Sequence, residues 1–185
     1  MPYRLVEKQV IYNGKKVRVE VHHFEDPDDV TKRAHREVCV HPGAVVVLAL
    51  LNDVADRGRE KVLLIRNRRH AVGRTLVELP AGTLEKNEDP INCAGRELLE
   101  ETGYLAGRLK SIGSFYSSPG ILTETMYAYA AYDLEPQLQA LEEGEEIELM
   151  PVPLDEAIDM IRTGDIQDAK TIAALLMFER FHRGR

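Results

Sequence analysis

Four glutamates and one arginine lie close together in the chain, at Glu88, Arg96, Glu97, Glu100 and Glu101. If this stretch is helical, the last three glutamates share one face, with Cβ atoms roughly 5–6 Å apart. Carboxylates so close repel one another, and one tends to stay protonated unless a cation joins them. Mg²⁺ and Mn²⁺ prefer oxygen ligands and keep waters that phosphate oxygens can replace. The pattern therefore predicts a divalent-metal site for a phosphate-containing substrate.

Arg96 stands beside this acidic face. Its guanidinium could hold Glu88 or a neighbouring glutamate through a bidentate pair of hydrogen bonds. The opposite face of the predicted helix is apolar and is expected to pack on a core. That face carries Ile91, Ala94, Leu98 and Leu99.

The ends of this helix are also marked in the sequence. Asp89 is a favoured N-cap, Pro90 suits the first helical position, and Gly103 suits a left-handed C-cap. A run of charges on a helix is commonly no more than a solvated face. Here the run also comes with Gly82, Glu88 and Gly103 at fixed offsets, which favours a functional site.

The stretch Gly82–Tyr104 reads GTLEKNEDPINCAGRELLEETGY and resembles the Nudix box, with every defining position filled. The resemblance implies hydrolysis of a nucleoside diphosphate linked to another group. Pro119, which lies 16 residues after Gly103, is similar in placement to the ADP-ribose pyrophosphatase subfamily. The segments 64–73 and 77–82 also look like that subfamily.

The resemblance implies a set of metal ligands. Glu97 and Glu101 would be the principal ligands, and Glu100 would share a further ion. The backbone carbonyl of Ala81 would complete one coordination shell. The expected ion is Mg²⁺, with Mn²⁺ as an alternative.

Substrate contacts are implied at Arg69, Glu78 and Pro119. Arg33 would reach the substrate of the partner subunit, because the family forms intertwined homodimers. For Arg69, a planar guanidinium suits phosphate oxygens. Glu78 alternates with apolar neighbours on a strand and could equally face solvent.

In this subfamily the catalytic base comes from an acidic loop after the box, here residues 141–147. The resemblance favours Glu145 as the base or as an additional metal ligand, with Glu143 next. A solvated acidic turn is the alternative interpretation of this loop.

Composition limits the remaining classes of function. The 185 residues suit one domain, and a net charge of −7 without a basic cluster argues against nucleic acid as a partner. The longest apolar run, 44–51, is too short to span a bilayer, and a secretory signal pattern is missing. We therefore expect a cytoplasmic protein. Cys39 and Cys93 do not form a C-x-x-C pair and are expected to be reduced.

The order of predicted elements is strands, one internal helix, more strands and then helices. This order favours a mixed sheet covered by helices, which together with the resemblance predicts an α/β/α sandwich. Residues 1–40 are expected to form a small β region for dimerisation, and residues 41–185 the Nudix domain. Tyr12–Lys15 predicts a hairpin turn, followed by a half-buried strand in which Val17, Val19 and Val21 alternate with polar residues.

The sequence predicts Mg²⁺-dependent hydrolysis of ADP-ribose to AMP and ribose 5-phosphate. The alternative substrate is another nucleoside diphosphate sugar, such as GDP-mannose. A non-catalytic nucleotide sensor is a third interpretation, and missing metal ligands would favour it. All the implied ligands are present in the chain.

Replacing Glu145 by glutamine tests the loop assignment. We expect turnover to fall by roughly 100-fold or more, the scale of general acid–base catalysis, with thermal unfolding unchanged. The neighbouring Glu146→Gln variant is the control and should keep normal turnover. Near-normal turnover of Glu145→Gln would remove Glu145 from the mechanism.

Overall fold

The computed structural model describes residues 3–51, 60–141, 144 and 146–184. This part of the chain forms two compact units. The first unit contains the chain up to Gly43 together with Tyr116–Thr125, and the second contains Ala44–Phe115 and the chain from Met126 onward. The unit that includes the N-terminal strands therefore also includes a segment from after the Nudix-like box.

The first unit contains a three-stranded antiparallel sheet in the order β1-β2-β3. Its strands are β1 (Arg4–Asn13), β2 (Arg18–Glu25) and β3 (Arg33–Val40). The predicted hairpin turn is present, and the Gly14 N–H donates to the carbonyl of Val17 at 2.9 Å.

The strand β2 is half-buried as predicted, but its most buried side chain is a carboxylate. Glu20 is only 3% exposed, whereas Val19 and Val21 are half-buried. Arg18 Nε donates to Glu20 at 2.6 Å, and His22 Nε2 lies 2.7 Å from its other oxygen. Burial is tolerated because these partners replace the hydrogen bonds that water would make.

The second unit contains a seven-stranded sheet with the order β10-β5-β4-β9-β8, to which β6 adds beside β5 and β7 beside β4. Its strands are β4 (Ala44–Leu51), β5 (Lys61–Arg69), β6 (Arg74–Glu78), β7 (Ala81–Thr83), β8 (Tyr104–Tyr116), β9 (Thr125–Pro136) and β10 (Ile147–Pro153). β4 pairs parallel with β9 and antiparallel with β5 and β7. The sheet is therefore mixed, as predicted.

Helices cover both faces of this sheet. They are α1 (Pro90–Thr102), α2 (Leu154–Thr163) and α3 (Ala169–Phe181). On β4, Val45 and Val47 pack with the α1 side, and Val46 and Leu48 pack with the side of α2 and α3. An apolar strand buried on both faces is typical of such a layered arrangement. The predicted α/β/α sandwich is confirmed.

The predicted ends of α1 are confirmed. The Asp89 side chain accepts a hydrogen bond from the Ile91 N–H at 3.2 Å, and Pro90 is the first helical residue. Gly103 ends the helix with φ at 70°, a conformation that glycine adopts at little cost. The helix therefore begins directly after the loop that carries Glu88.

Strand pairing sets the extent of the strands beside the site. β5 continues to Arg69 because its last residues pair with β6. The short strand β7 was not predicted, since its extended form comes from pairing with β4. Among the described residues, no helix is long and apolar enough to cross a bilayer.

Candidate active site

Arg96 joins three carboxylates of the predicted metal face. Its Nε and Nη2 each donate to Glu88 at 2.9 Å, so the predicted bidentate pair is present. Its Nη1 donates to Glu97 at 2.8 Å and to Glu100 at 3.0 Å. The sequence left open whether Arg96 holds Glu88 or a neighbouring glutamate. In the structure it holds Glu88 and two neighbouring glutamates together.

This network fixes the charge of its members. The hydrogen bonds from Arg96 lower the pKa of Glu88 to about 2, against the opposing effect of burial. Hydrogen bonding to Glu88 raises the pKa of Arg96 above its ordinary value. Both groups are thus ionised near neutral pH, and the carboxylates around Arg96 repel one another less than they would alone.

Glu101 is held from the other side, by the strand β7. The Ala81 N–H donates to Glu101 Oε2 at 2.9 Å, and Glu101 is only 3% exposed. The sheet therefore brings Ala81 next to the carboxylate with which it is predicted to share an ion.

Gly82 lies against the carboxylate of Glu97. A Cβ atom built on Gly82 would overlap the carboxyl carbon and both oxygens of Glu97. The absence of a side chain at this position is what allows β7 and α1 to approach here. Ala81, Gly82, Glu97 and Glu101 are thus neighbours, although the box separates them by up to 20 positions.

These residues fit a hard divalent cation. Carboxylate and carbonyl oxygens are the donors that Mg²⁺ and Mn²⁺ prefer. Within the described ranges, no three acidic, histidine or cysteine side chains already converge at ligating distance. The hydrogen bonds explain this, because Glu97 and Glu100 turn toward Arg96 and Glu101 toward Ala81. The ligand roles themselves stay predictions.

Arg69 and Glu78 form a second part of the site. Arg69 donates from Nε at 2.9 Å and from Nη2 at 2.6 Å to the two oxygens of Glu78. The Glu78 side chain is fully buried, which corrects the alternative in which it faces solvent. Burial alone raises the pKa of Glu78, but Arg69 and Lys170 outweigh it and hold that pKa below its ordinary value.

The other predicted residues are not brought into this cluster by the described contacts. Arg33 and Pro119 belong to the first compact unit, where Arg33 pairs with Glu25 at 2.9 Å. Their substrate roles stay predictions. Glu143 and Glu145 lie outside the described residues, so their roles also stay predictions.

Lys170 was not among the predicted site residues, yet it contacts Glu78 at 2.5 Å. Asp168 caps the start of α3, where its side chain accepts a 3.0 Å hydrogen bond from the Thr171 N–H. Lys170 and Glu78 are 92 positions apart, however, and only the packing of α3 on the sheet brings them together. The spacing of residues along the chain therefore could not predict this contact.

A sequence model of the NUDIX domain matches residues 40–175. The chain belongs to the Nudix family. It is 39% identical over 174 residues to the ADP-ribose pyrophosphatase of Bacillus subtilis (strain 168), covering 93% of this chain and 90% of the relative. It is 36% identical over 130 residues to the GDP-mannose pyrophosphatase of Enterobacter sp. (strain 638), covering 65% of this chain and 67% of that relative.

The fold of this Nudix protein is also similar to that of a solved structure. The crystal structure of an ADP compounds hydrolase matches it with a TM-score of 0.82 and 21% identity, covering 97% of this chain and 93% of that chain. The predictions of a Nudix hydrolase and of its fold are thereby confirmed.

Replacing Gly82 by alanine tests the close approach of β7 to Glu97. The new methyl group would push the Glu97 carboxylate aside, and the flexible side chain can move without unfolding the domain. We expect metal-dependent turnover of a nucleoside diphosphate substrate to fall roughly 10- to 100-fold, as when support of a metal ligand is disturbed. Steady-state kinetics and thermal unfolding measure the two effects.

Gly95→Ala is the matched control on α1, since its Cβ would meet only Leu109 Cδ1 at an ordinary 3.6 Å. It should keep full turnover and stabilise the helix by about 0.5–1 kcal/mol. Full turnover of Gly82→Ala would contradict the account of this contact.

Proposed function

We propose that this Nudix protein hydrolyses the diphosphate of ADP-ribose, giving AMP and ribose 5-phosphate. The observation that carries the proposal is the network in which Arg96 holds Glu88, Glu97 and Glu100 while Ala81 holds Glu101. Similarity to an ADP-ribose pyrophosphatase over nearly the whole chain supports this choice of substrate.

Nudix hydrolases generally use divalent metals. Glu97 and Glu101, with Glu100 and the Ala81 carbonyl, would hold Mg²⁺ or Mn²⁺. When bound, such an ion supplies positive charge against the diphosphate oxygens. Arg96 holds the surrounding carboxylates in place, because its guanidinium contacts three of them.

The reaction adds water across the diphosphate. The water oxygen forms a bond to one phosphorus, and the bond from that phosphorus to the bridging oxygen breaks. Glu145, or Glu143 in its place, would accept the proton that the water loses. Arg69 would bind a phosphate with the edge of its guanidinium that Glu78 does not occupy, while the two hydrogen bonds to Glu78 fix its plane.

Arg33 and Pro119 complete the proposed substrate contacts. Arg33 would act across a homodimer, in which the first unit is expected to provide the interface. A cytoplasmic location is part of the same proposal. The family resemblance supports these assignments.

GDP-mannose is the second candidate substrate. Similarity to a GDP-mannose pyrophosphatase favours it, although that alignment covers less of this chain than the alignment with the ADP-ribose enzyme. Both substrates have the same diphosphate group, so the carboxylate network fits either one. Contacts to the base and the sugar must decide between them.

A substrate panel distinguishes these candidates. The protein is incubated in Mg²⁺ with ADP-ribose, GDP-mannose, other nucleotide sugars, NADH and dinucleoside polyphosphates, and the products are separated by chromatography. We expect kcat/KM to be highest for ADP-ribose, with AMP released. If another compound is hydrolysed and ADP-ribose releases no AMP, the assignment of ADP-ribose as the substrate is wrong. Binding without any turnover would indicate a nucleotide sensor.

A further inference from the structure

Lys170 lies in a buried group of charges that we call the Glu78 cluster, made of Arg69, Glu78, Asp168 and Lys170. Lys170 Nζ contacts Glu78 at 2.5 Å and Asp168 at 3.0 Å. The exposed fractions of the side chains are 0% for Glu78, 14% for Lys170, 16% for Asp168 and 39% for Arg69. Arg69 is thus the member of the cluster that solvent and substrate can reach most easily.

The start of α3 is fixed to the sheet beside this cluster. The Thr171 hydroxyl accepts a hydrogen bond from the Leu79 N–H at 2.9 Å and donates to Asp168 at 2.6 Å. Thr171 is fully buried. Lys170 is therefore held in place by its neighbours, and its contact with Glu78 is not that of a loose surface side chain.

The Glu78 cluster contains two cations and two carboxylates. Without Lys170, Arg69 alone would face both Glu78 and Asp168, and a buried carboxylate needs close pairing. Arg69 already donates to both oxygens of Glu78, so without Lys170 its single charge would have to balance both carboxylates. The site would then carry a net negative charge toward an anionic ligand. With Lys170 present, Arg69 can share its charge with a phosphate while Glu78 keeps a partner.

Arg69 also lies within electrostatic reach of the predicted metal face. Hydrogen bonding to Glu78 raises the pKa of Arg69 most, and the charges of Glu101 and Asp168 raise it further. The substrate diphosphate would lie at that face. Geometry supports this placement, because Glu78, the partner of Arg69, ends β6 only three residues before Ala81, whose N–H donates to Glu101.

We propose that Lys170 is a positioning residue for substrate binding, which acts through Glu78 to keep Arg69 available to a phosphate of the nucleotide substrate. This role rests on the proposed function, because it assumes that the substrate is an anionic diphosphate. It does not place Lys170 in contact with the substrate.

A double-mutant cycle with Arg69→Met and Lys170→Met tests the proposal. The measured quantity is the Kd of ADP-ribose in EDTA by calorimetry, together with KM and kcat in Mg²⁺. We expect Lys170→Met to weaken binding and raise KM roughly tenfold with kcat nearly unchanged, and Lys170→Arg to restore most of the affinity. In the Arg69→Met protein, Lys170→Met should weaken binding by less than about twofold.

Arg183→Met is the matched control, because Arg183 holds the opposite end of α3. It contacts Glu60 at 3.1 Å, Asp155 at 2.6 Å and Glu179 at 2.9 Å. Losing these ion pairs should lower the unfolding temperature and leave Kd and KM unchanged. If Lys170→Met does not fold, the Glu78→Gln, Lys170→Met double variant removes both buried charges and is compared with Glu78→Gln alone. The two should bind with equal affinity, since Lys170 acts through Glu78.

The outcomes separate this inference from the proposed function. Losses that multiply in the Arg69→Met, Lys170→Met protein would overturn the positioning role. Wild-type affinity in Lys170→Met, or a further loss when Lys170→Met is added to Glu78→Gln, would overturn it as well. If ADP-ribose binds but is not hydrolysed, the proposed function fails and the binding cycle still decides the role of Lys170. If a different nucleotide sugar binds, the same cycle is measured with it, and failure of every nucleotide sugar to bind overturns both.

Discussion

Carboxylates held close together repel one another, and the Nudix box of this protein brings four of them within a short loop and helix. Arg96 resolves much of this conflict by contacting Glu88, Glu97 and Glu100 with one guanidinium. The rest of the site depends on that contact, because the positive charge of Arg96 reduces the repulsion between these carboxylates and holds the pKa of Glu88 low. The same negative charge that makes the arrangement costly without a cation makes it suitable for a divalent ion.

The sheet supplies the second half of the site. β4 is buried on both faces, so the β7 strand beside it and the α1 helix that covers it are held in fixed positions. The Ala81 N–H then meets Glu101, and Gly82 leaves space for Glu97. On the other face, the start of α3 reaches Leu79 through Thr171. The packing of α1 and β7 on the sheet thus determines where the carboxylates lie, whereas the Nudix box specifies that these positions are glutamates.

Local signals in the sequence were enough for the elements that carry the box. Asp89, Pro90 and Gly103 mark the helix ends, and the spacing of Glu97, Glu100 and Glu101 places them on one face. The sequence contained no local signal for features that depend on contacts between residues far apart in the chain. β7 is extended because it pairs with β4, and Glu78 is buried because Lys170 and Arg69 neutralise it. Glu20 follows the same rule, since a paired carboxylate can be buried at a position that alternation alone would expose to solvent.

If the carboxylates around Arg96 and Ala81 form a divalent-metal site, they bind Mn²⁺, and titration with Mn²⁺ measures this directly. Free Mn²⁺ is followed by electron paramagnetic resonance in titrations of the wild type, of Glu97→Gln and Glu101→Gln, and of Glu156→Gln, an exposed control on α2. We predict that the wild type and the control bind Mn²⁺ equally and that the two box variants bind roughly 10- to 100-fold more weakly. Unchanged Mn²⁺ affinity in both Glu97→Gln and Glu101→Gln would contradict the account.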